Sequence, residues 1–187
     1  MLQQWNAPLV TALFAGPAIA NTNAIQSLLP DHCQIPIPGG FLQYGSTLRL
    51  TGCCQISNIG TTPGTMQLAV SLGGIYVWVS GQMQLSTTAH TNVPLQYEVI
   101  LTCRSIGKGT DATLIGLGQA TSQALSLTAT GDSPNTLPTL LMPNTPPAVG
   151  LGFDSTISNI FNHQVQFSVA NAGNNILLNQ FILESMN

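Results

Sequence analysis

The run Thr47-Leu-Arg-Leu-Thr-Gly-Cys-Cys-Gln-Ile56 decides the fold, because apolar side chains recur in it at alternate positions. One face carries Leu48, Leu50, Cys54 and Ile56. The other face carries Arg49 and Thr51. Alternation with a period of two is typical of a β-strand that buries one face in a core.

Strand-like runs, separated by turn residues, continue to the end of the chain. The alternating runs are 65–72, 97–104, 164–169 and 176–185, and the run 75–79 is apolar on both faces. The turn signals between them are Thr62-Pro-Gly64, Gly73-Gly74, Gly107-Lys-Gly109 and 171–175. Strands at this spacing predict an all-β fold of about eight antiparallel strands in two packed sheets. Because 75–79 is apolar on both faces, we expect it to be central or covered by a partner.

The chain has very few charges. They make up 5% of its 187 residues, and the net charge is −3. The cations are Arg49, Arg104 and Lys108. Neutral polar groups are cheaper to desolvate than charges, and interface cores are depleted in Lys, Glu and Asp. This composition favours permanent assembly; the alternative is an ordinary soluble domain with an unusual polar bias.

The first 30 residues are rich in apolar side chains and hold no charge. A segment of this kind associates when it is exposed. We therefore predict an N-terminal arm over residues 1–34, outside a domain that spans 35–187. The predicted interface residues of the arm are Trp5, Leu9, Val10, Leu13, Phe14 and Ile19.

Two further segments carry signals that are not those of strands. Residues 7–21 imitate a signal peptide but lack its positively charged start, and they are too short to span a membrane. We expect synthesis in the cytoplasm and no membrane partner. Residues 132–147 contain five prolines and predict an extended connector, not a strand.

Residues able to carry chemistry are sparse. Three scattered cations cannot form a phosphate-binding surface, so we expect no nucleic-acid partner. His32, His90 and His163 show no metal-ligand spacing, and the motifs GxSxG and C-x-x-C are absent. We expect no catalytic residue, no metal and no cofactor, and therefore no enzyme.

The cysteines are Cys33, Cys53, Cys54 and Cys103. Cys53 and Cys54 are neighbours in a strand-like run, so their side chains should face opposite ways. Free, mostly buried thiols are favoured. A disulfide from Cys33 to Cys54 or to Cys103 stays open.

Short motifs in a fixed order resemble a family of jelly-roll proteins found among the virion proteins of tailed bacteriophages. The motifs are Ile37-Pro-Gly-Gly-Phe41, Gly45-Ser-Thr-Leu-Arg-Leu50, Thr62-Pro-Gly64, Val93-Pro-Leu-Gln-Tyr-Glu98, Leu101-Thr-Cys-Arg104, Phe153-Asp-Ser-Thr156, Gln164-Val-Gln-Phe-Ser168 and Phe181-Ile-Leu-Glu184. The resemblance covers about residues 35–187 and leaves the N-terminal segment out.

The resemblance implies a single jelly-roll domain in a phage virion, made in the host cytoplasm. The leading hypothesis is a capsid decoration (cement) protein on the head surface, which binds the major capsid protein and itself, as a homotrimer. The N-terminal arm would then dock on the capsid or a sister subunit and not on its own sandwich. The alternative is a jelly-roll module of a tail or head fibre that binds host carbohydrate, with Tyr76 and Trp78 as ligand or interface aromatics.

Overall fold

The computed structural model describes residues 7–127 and 137–186. This part of the chain is all-β, with one turn of 3-10 helix at Asp31–Cys33 and no α-helix. The strands are β1 Ala7–Thr11, β2 Ile19–Ala20, β3 Gln26–Ser27, β4 Pro36–Ile37, β5 Thr47–Asn58, β6 Thr65–Leu72, β7 Ile75–Val79, β8 Met83–Gln84, β9 His90–Ser105, β10 Thr113–Ser122, β11 Thr139–Met142, β12 Asn159–Phe167 and β13 Asn175–Ser185.

The strands form two antiparallel sheets. The first sheet has the order β1-β13-β5-β9-β10-β11, with β2 also paired to β13. The second has the order β3-β12-β6-β7, with β4 paired to β12 and β8 to β6. The two packed sheets confirm the predicted all-β sandwich.

The pairing follows a jelly roll, in which a long antiparallel ribbon is wrapped into two sheets. The ribbon pairs are β1 with β13, β3 with β12, β5 with β9, and β6 with β7. Two further pairings, β13 with β5 and β12 with β6, place successive parts of the ribbon side by side. Strands β10 and β11 are inserted between β9 and β12 and extend the first sheet.

The core lies between the sheets. The alternation predicted in 47–56 is observed, since the residues assigned to its apolar face are all buried. Large side chains that are fully buried include Leu48, Leu50, Met66, Leu68, Phe161, Phe167 and Phe181. One continuous cluster contains these residues together with Leu28 and Leu29 from the N-terminal segment.

The hypothesis that the N-terminal segment folds away from its own sandwich is wrong for residues 7–30. Strands β1 and β3 are the first and second strands of the jelly roll, and they pair with β13 and β12. Leu28 and Leu29 are buried in the shared core. The physical reason is that β13 and β12 would otherwise expose unpaired backbone groups along one edge.

The sheet edges are covered or interrupted. The expectation of a central or partner-covered strand at 75–79 needs correction, because β7 is the last strand of its sheet and is covered by this chain. The Leu151 amide donates to the Tyr76 carbonyl at 3.2 Å.

The prediction of an extended connector without a strand over 132–147 is also wrong, since β11 pairs with β10 there. Residues 132–136 lie outside the described part.

Candidate binding face on the first sheet

The outer face of the first sheet presents two rows of side chains that run across four strands. Paired positions give one row of Ile182, Thr51, Glu98 and Gln119, and a second row of Gln180, Cys53, Gln96 and Thr121. These eight residues line a shallow depression of about 340 Å³. Amide, hydroxyl and thiol groups dominate it, and Glu98 is the one charged side chain among its described lining residues.

An apolar patch lies beside this depression, toward β11. We define it as Ile100, Ile115, Leu117, Leu141 and Val149. Leu117 lies opposite Ile100 on β9, and Val149 forms a bridge with Ile115. Leu141 is 72% exposed, Leu117 54% and Val149 51%, so these side chains are available to a partner.

The face carries one ion pair among its described residues. The Arg49 Nε donates to Glu184 Oε2 at 2.7 Å, across the pairing of β5 with β13. Both side chains are partly exposed, and a pair of this kind contributes little to stability. Because the two charges neutralise each other, the face as a whole offers few charges that a partner would have to desolvate.

The structure separates the predicted interface residues of the N-terminal segment. Ile19 is buried, and Leu9 and Val10 are partly buried against the chain's own core. Leu13 and Phe14 are 81% and 62% exposed, with the Phe14 ring 4.5 Å from that of His32. Trp5 lies outside the described residues.

The two candidate ligand aromatics do not form an exposed platform. Trp78 is 4% exposed, and its ring occupies the space where a side chain on Gly116 would lie. Tyr76 is half-buried on β7, and its backbone carbonyl accepts a hydrogen bond from the Leu151 amide. A glycan could therefore not stack on the Trp78 ring without opening the core.

The histidines and cysteines are dispersed. His163 is fully buried, with Nδ1 3.0 Å from the Ala69 carbonyl, and burial lowers its pKa to about 4. This agrees with a structural side chain. In 7–127 and 137–186, no three residues among His, Cys, Asp and Glu form a group that could hold a metal.

All four cysteines are unpaired, as the sequence favoured. Cys54 is buried and Cys53 partly exposed, so the neighbours face opposite sides of β5. Burial raises the pKa of the Cys54 thiol far above its usual value. A protonated buried thiol behaves as a small apolar side chain.

The sequence patterns did not single out the apolar patch. The part of the sequence that could have revealed the patch is the run 113–121, where the even positions Leu114, Gly116 and Ala120 are buried. The odd positions then hold Ile115 and Leu117 on the outer face, where polar residues are expected. The glycines beside Leu117 weaken the strand pattern, which is why the run did not stand out.

Two solved structures show a distant likeness to this chain. No protein-family model and no curated protein matches this chain. The CBM2 module of evolved Dit from Lactobacillus casei BL23 phage J-1 aligns with a TM-score of 0.31 and 12% identity, over 81% of this chain and 68% of that chain. A fructofuranosidase from Schwanniomyces occidentalis, complexed with fructose, aligns with a TM-score of 0.27 and 8% identity, over 97% of this chain.

This chain spans 34% of the length of that fructofuranosidase. A phage module is thus among the weak structural neighbours of the chain. TM-scores below 0.5 do not establish a shared topology, so the jelly-roll assignment rests on the strand pairing described above. In the described part of the chain, no helix is long and apolar enough to cross a membrane.

Proposed function

We propose that this chain is a structural protein of a phage virion that decorates the head and bridges neighbouring major capsid subunits as a cement protein. The observation that carries the proposal is the exposed apolar patch on a sheet face with few charges. The resemblance of residues 35–187 to phage virion jelly-roll proteins supports the virion setting. The role is mechanical and requires no catalytic step.

The apolar patch supports binding because its side chains are exposed and adjacent. Burying a large apolar side chain completely stabilises a complex by about 1.5–3 kcal/mol. Four residues of the patch are at least 38% exposed, so each can still bury a substantial part of its surface. Repeated copies of such a contact raise the cost of separating capsid subunits.

The sheet edges favour association through faces and not through strand addition. Pro8 lies in β1 at one edge of the first sheet, and the pairing of β1 is irregular between Pro8 and Val10. Pro138 and Pro143 flank β11 at the other edge. Proline lacks the N–H group that a new strand would need, and irregular pairing bends an edge away from partners. A partner is therefore expected on the outer face.

The decoration hypothesis is tested by mixing the protein with undecorated capsids of its own phage and measuring co-sedimentation. Leu117→Asp places a charge at the centre of the apolar patch and should abolish binding. Gln123→Asp places the same charge on an exposed turn outside the patch and should bind as the wild type does. Absence of wild-type binding, or full binding by Leu117→Asp, would overturn the proposal.

We further propose that the protein assembles as a homotrimer, because trimers suit the three-fold and quasi-three-fold positions of an icosahedral shell. Sedimentation velocity at micromolar concentration measures this independently of capsid binding. A species of three times 19.6 kDa is expected. A monomer at every concentration would rule out the trimer and leave the decoration hypothesis to its own test.

A further inference from the structure

Unusual backbone conformations cluster at one end of the sandwich. Three non-glycine residues have a positive φ in the described part of the chain: Asn21 at 53°, Thr62 at 51° and Asn92 at 53°. Such a conformation is strained for a β-branched residue such as Thr62. Strain of this kind persists where the surrounding structure enforces it, and it is concentrated at ligand sites.

One of them, Thr62, lines an open depression of about 630 Å³, which we call the end cavity, and the other two hydrogen-bond to residues that line it. The Asn21 amide donates to the carbonyl of Asn171, and the Asn92 amide donates to Oγ of Ser57 at 3.0 Å. Asn171 and Ser57 both line the cavity.

The side chains that line the end cavity are mainly hydroxyl and amide groups, although more of its accessible surface is apolar than polar, and none of the described lining residues is Asp, Glu, Lys or Arg. Besides Asn58 and Thr62, its hydrogen-bonding side chains include His90, Thr91, Asn171 and Asn175. Ile59 and Ala89 add apolar surface. Burial lowers the pKa of His90, which favours the neutral imidazole, and this form offers one donor and one acceptor.

Asn58, in the wall of the cavity, has an unsatisfied acceptor. The side chain is buried, and its Nδ2 donates to the carbonyls of Ser86 and Thr88 at 2.6 and 2.9 Å. These contacts fix the orientation of the amide. Its Oδ1 has no hydrogen-bond partner among the described residues. A buried acceptor without a donor favours any rearrangement that supplies one.

We propose that the end cavity binds a neutral saccharide. With no cation in the lining, the site does not suit phosphate, sulfate or carboxylate ligands; with no carboxylate, it does not suit metal ions or organic cations. Amide and hydroxyl groups both donate and accept, which matches the hydroxyl groups of a sugar, and Ile59 and Ala89 can contact its C–H face. The volume lies in the range of small-ligand sites.

This activity goes beyond the proposed decoration function and does not depend on it. The end cavity lies among loops at the start of β6, β9 and β13, and it shares no residue with the apolar patch. The site also differs from the aromatic pair Tyr76 and Trp78 suggested by the sequence. A decorated head could thus bind glycans through loops that its capsid contact leaves free.

The proposal is tested by titrating the uniformly 15N-labelled full chain with maltotriose, cellotriose, lactose and N,N′-diacetylchitobiose, and with glucose 6-phosphate as a charged probe. At least one neutral saccharide should shift the amide signals of Thr62, Asn92, Asn171 and Asn175 saturably, with a Kd of about 1 mM or below. Glucose 6-phosphate should bind no more tightly than the neutral probes.

Two variants remove one lining group each. Thr91→Val and Asn175→Ala should weaken binding about three- to tenfold, the loss expected for one hydrogen bond. The control Thr51→Val removes a hydroxyl from the depression on the first sheet and should bind as the wild type does. The inference is overturned if no neutral saccharide gives saturable shifts, if glucose 6-phosphate binds more tightly, or if the shifts map to the depression and respond to Thr51→Val.

Discussion

The phenol ring of Tyr97 fills the space that a side chain on Gly52 would occupy. A Cβ built on Gly52 would lie 2.1 Å from Cζ of Tyr97 and 2.2 Å from its hydroxyl oxygen. The two residues are paired across β5 and β9, and both are buried. The ring also packs 5.1 Å from the His163 ring, which restricts its movement on that side.

We therefore predict that Gly52→Ala destabilises the fold by about 3 kcal/mol, at the upper end of the usual range for overpacking a core. Urea denaturation at neutral pH measures the effect. If Tyr97 is the cause, the same substitution should be far less destabilising in a Tyr97→Leu background. An equal loss in both backgrounds would contradict this explanation.

The N-terminal segment allows a second prediction with a matched control. Leu28 is fully buried and Leu13 is 81% exposed, although both lie in the same charge-free segment. Leu28→Ala should lower the free energy of unfolding by about 2–5 kcal/mol, the usual range for a buried leucine. Leu13→Ala should change it by less than about 0.5 kcal/mol. Thermal and urea unfolding of the two variants measure both changes. If Leu28→Ala lowered the free energy of unfolding as little as Leu13→Ala, this segment would not be part of the core.

The fold was predictable where alternation is regular and turns are well marked. Residues 47–56 and 65–72 have this character, and both are strands with the expected buried faces. The N-terminal strands could not be predicted in this way. Strand β3 has two residues, too few for a period, and it exists because β12 offers it unpaired backbone groups.

The binding surfaces were less predictable than the fold, for a related reason. The apolar patch requires Leu141 and Val149 to lie beside β10. Both residues lie in or next to the proline-rich segment 132–147, which predicts a connector and gives no sign of this long-range pairing. The end cavity brings together residues near positions 21, 60, 90 and 172, which no local pattern connects. The low charge of the whole chain is evident from its composition. Both the apolar patch and the described lining of the end cavity share it, since neither contains Asp, Glu, Lys or Arg.

The shortage of charge leads to a prediction about salt. If the apolar patch supplies the contact with capsids, apparent affinity should change by less than about twofold between low and high salt, because screening acts on charges. Co-sedimentation at about 50 and 500 mM NaCl measures it. A weakening of tenfold or more would assign the contact to charged groups such as Arg104 and Lys108.

His163 predicts how stability depends on pH. Burial lowers the pKa of the folded chain's imidazole from 6.5 to about 4, although the hydrogen bond to the Ala69 carbonyl opposes this shift. Between these values the unfolded chain binds a proton that the folded chain does not. Stability is therefore fully present above pH 6.5 and is lost as the pH falls toward 4. From pH 7 to pH 5 the expected loss is about 2 kcal/mol.

The measurement is urea denaturation at pH 7, 6 and 5, a range in which most carboxylates stay ionised. His163→Phe keeps an aromatic ring beside Tyr97 and Phe181 and removes the titrating group, so most of the pH dependence should disappear. His90→Gln removes a histidine that is only partly buried and should leave most of the pH dependence in place. If His163→Phe lost as much stability as the wild type between pH 7 and pH 5, another group would be the cause of the pH dependence.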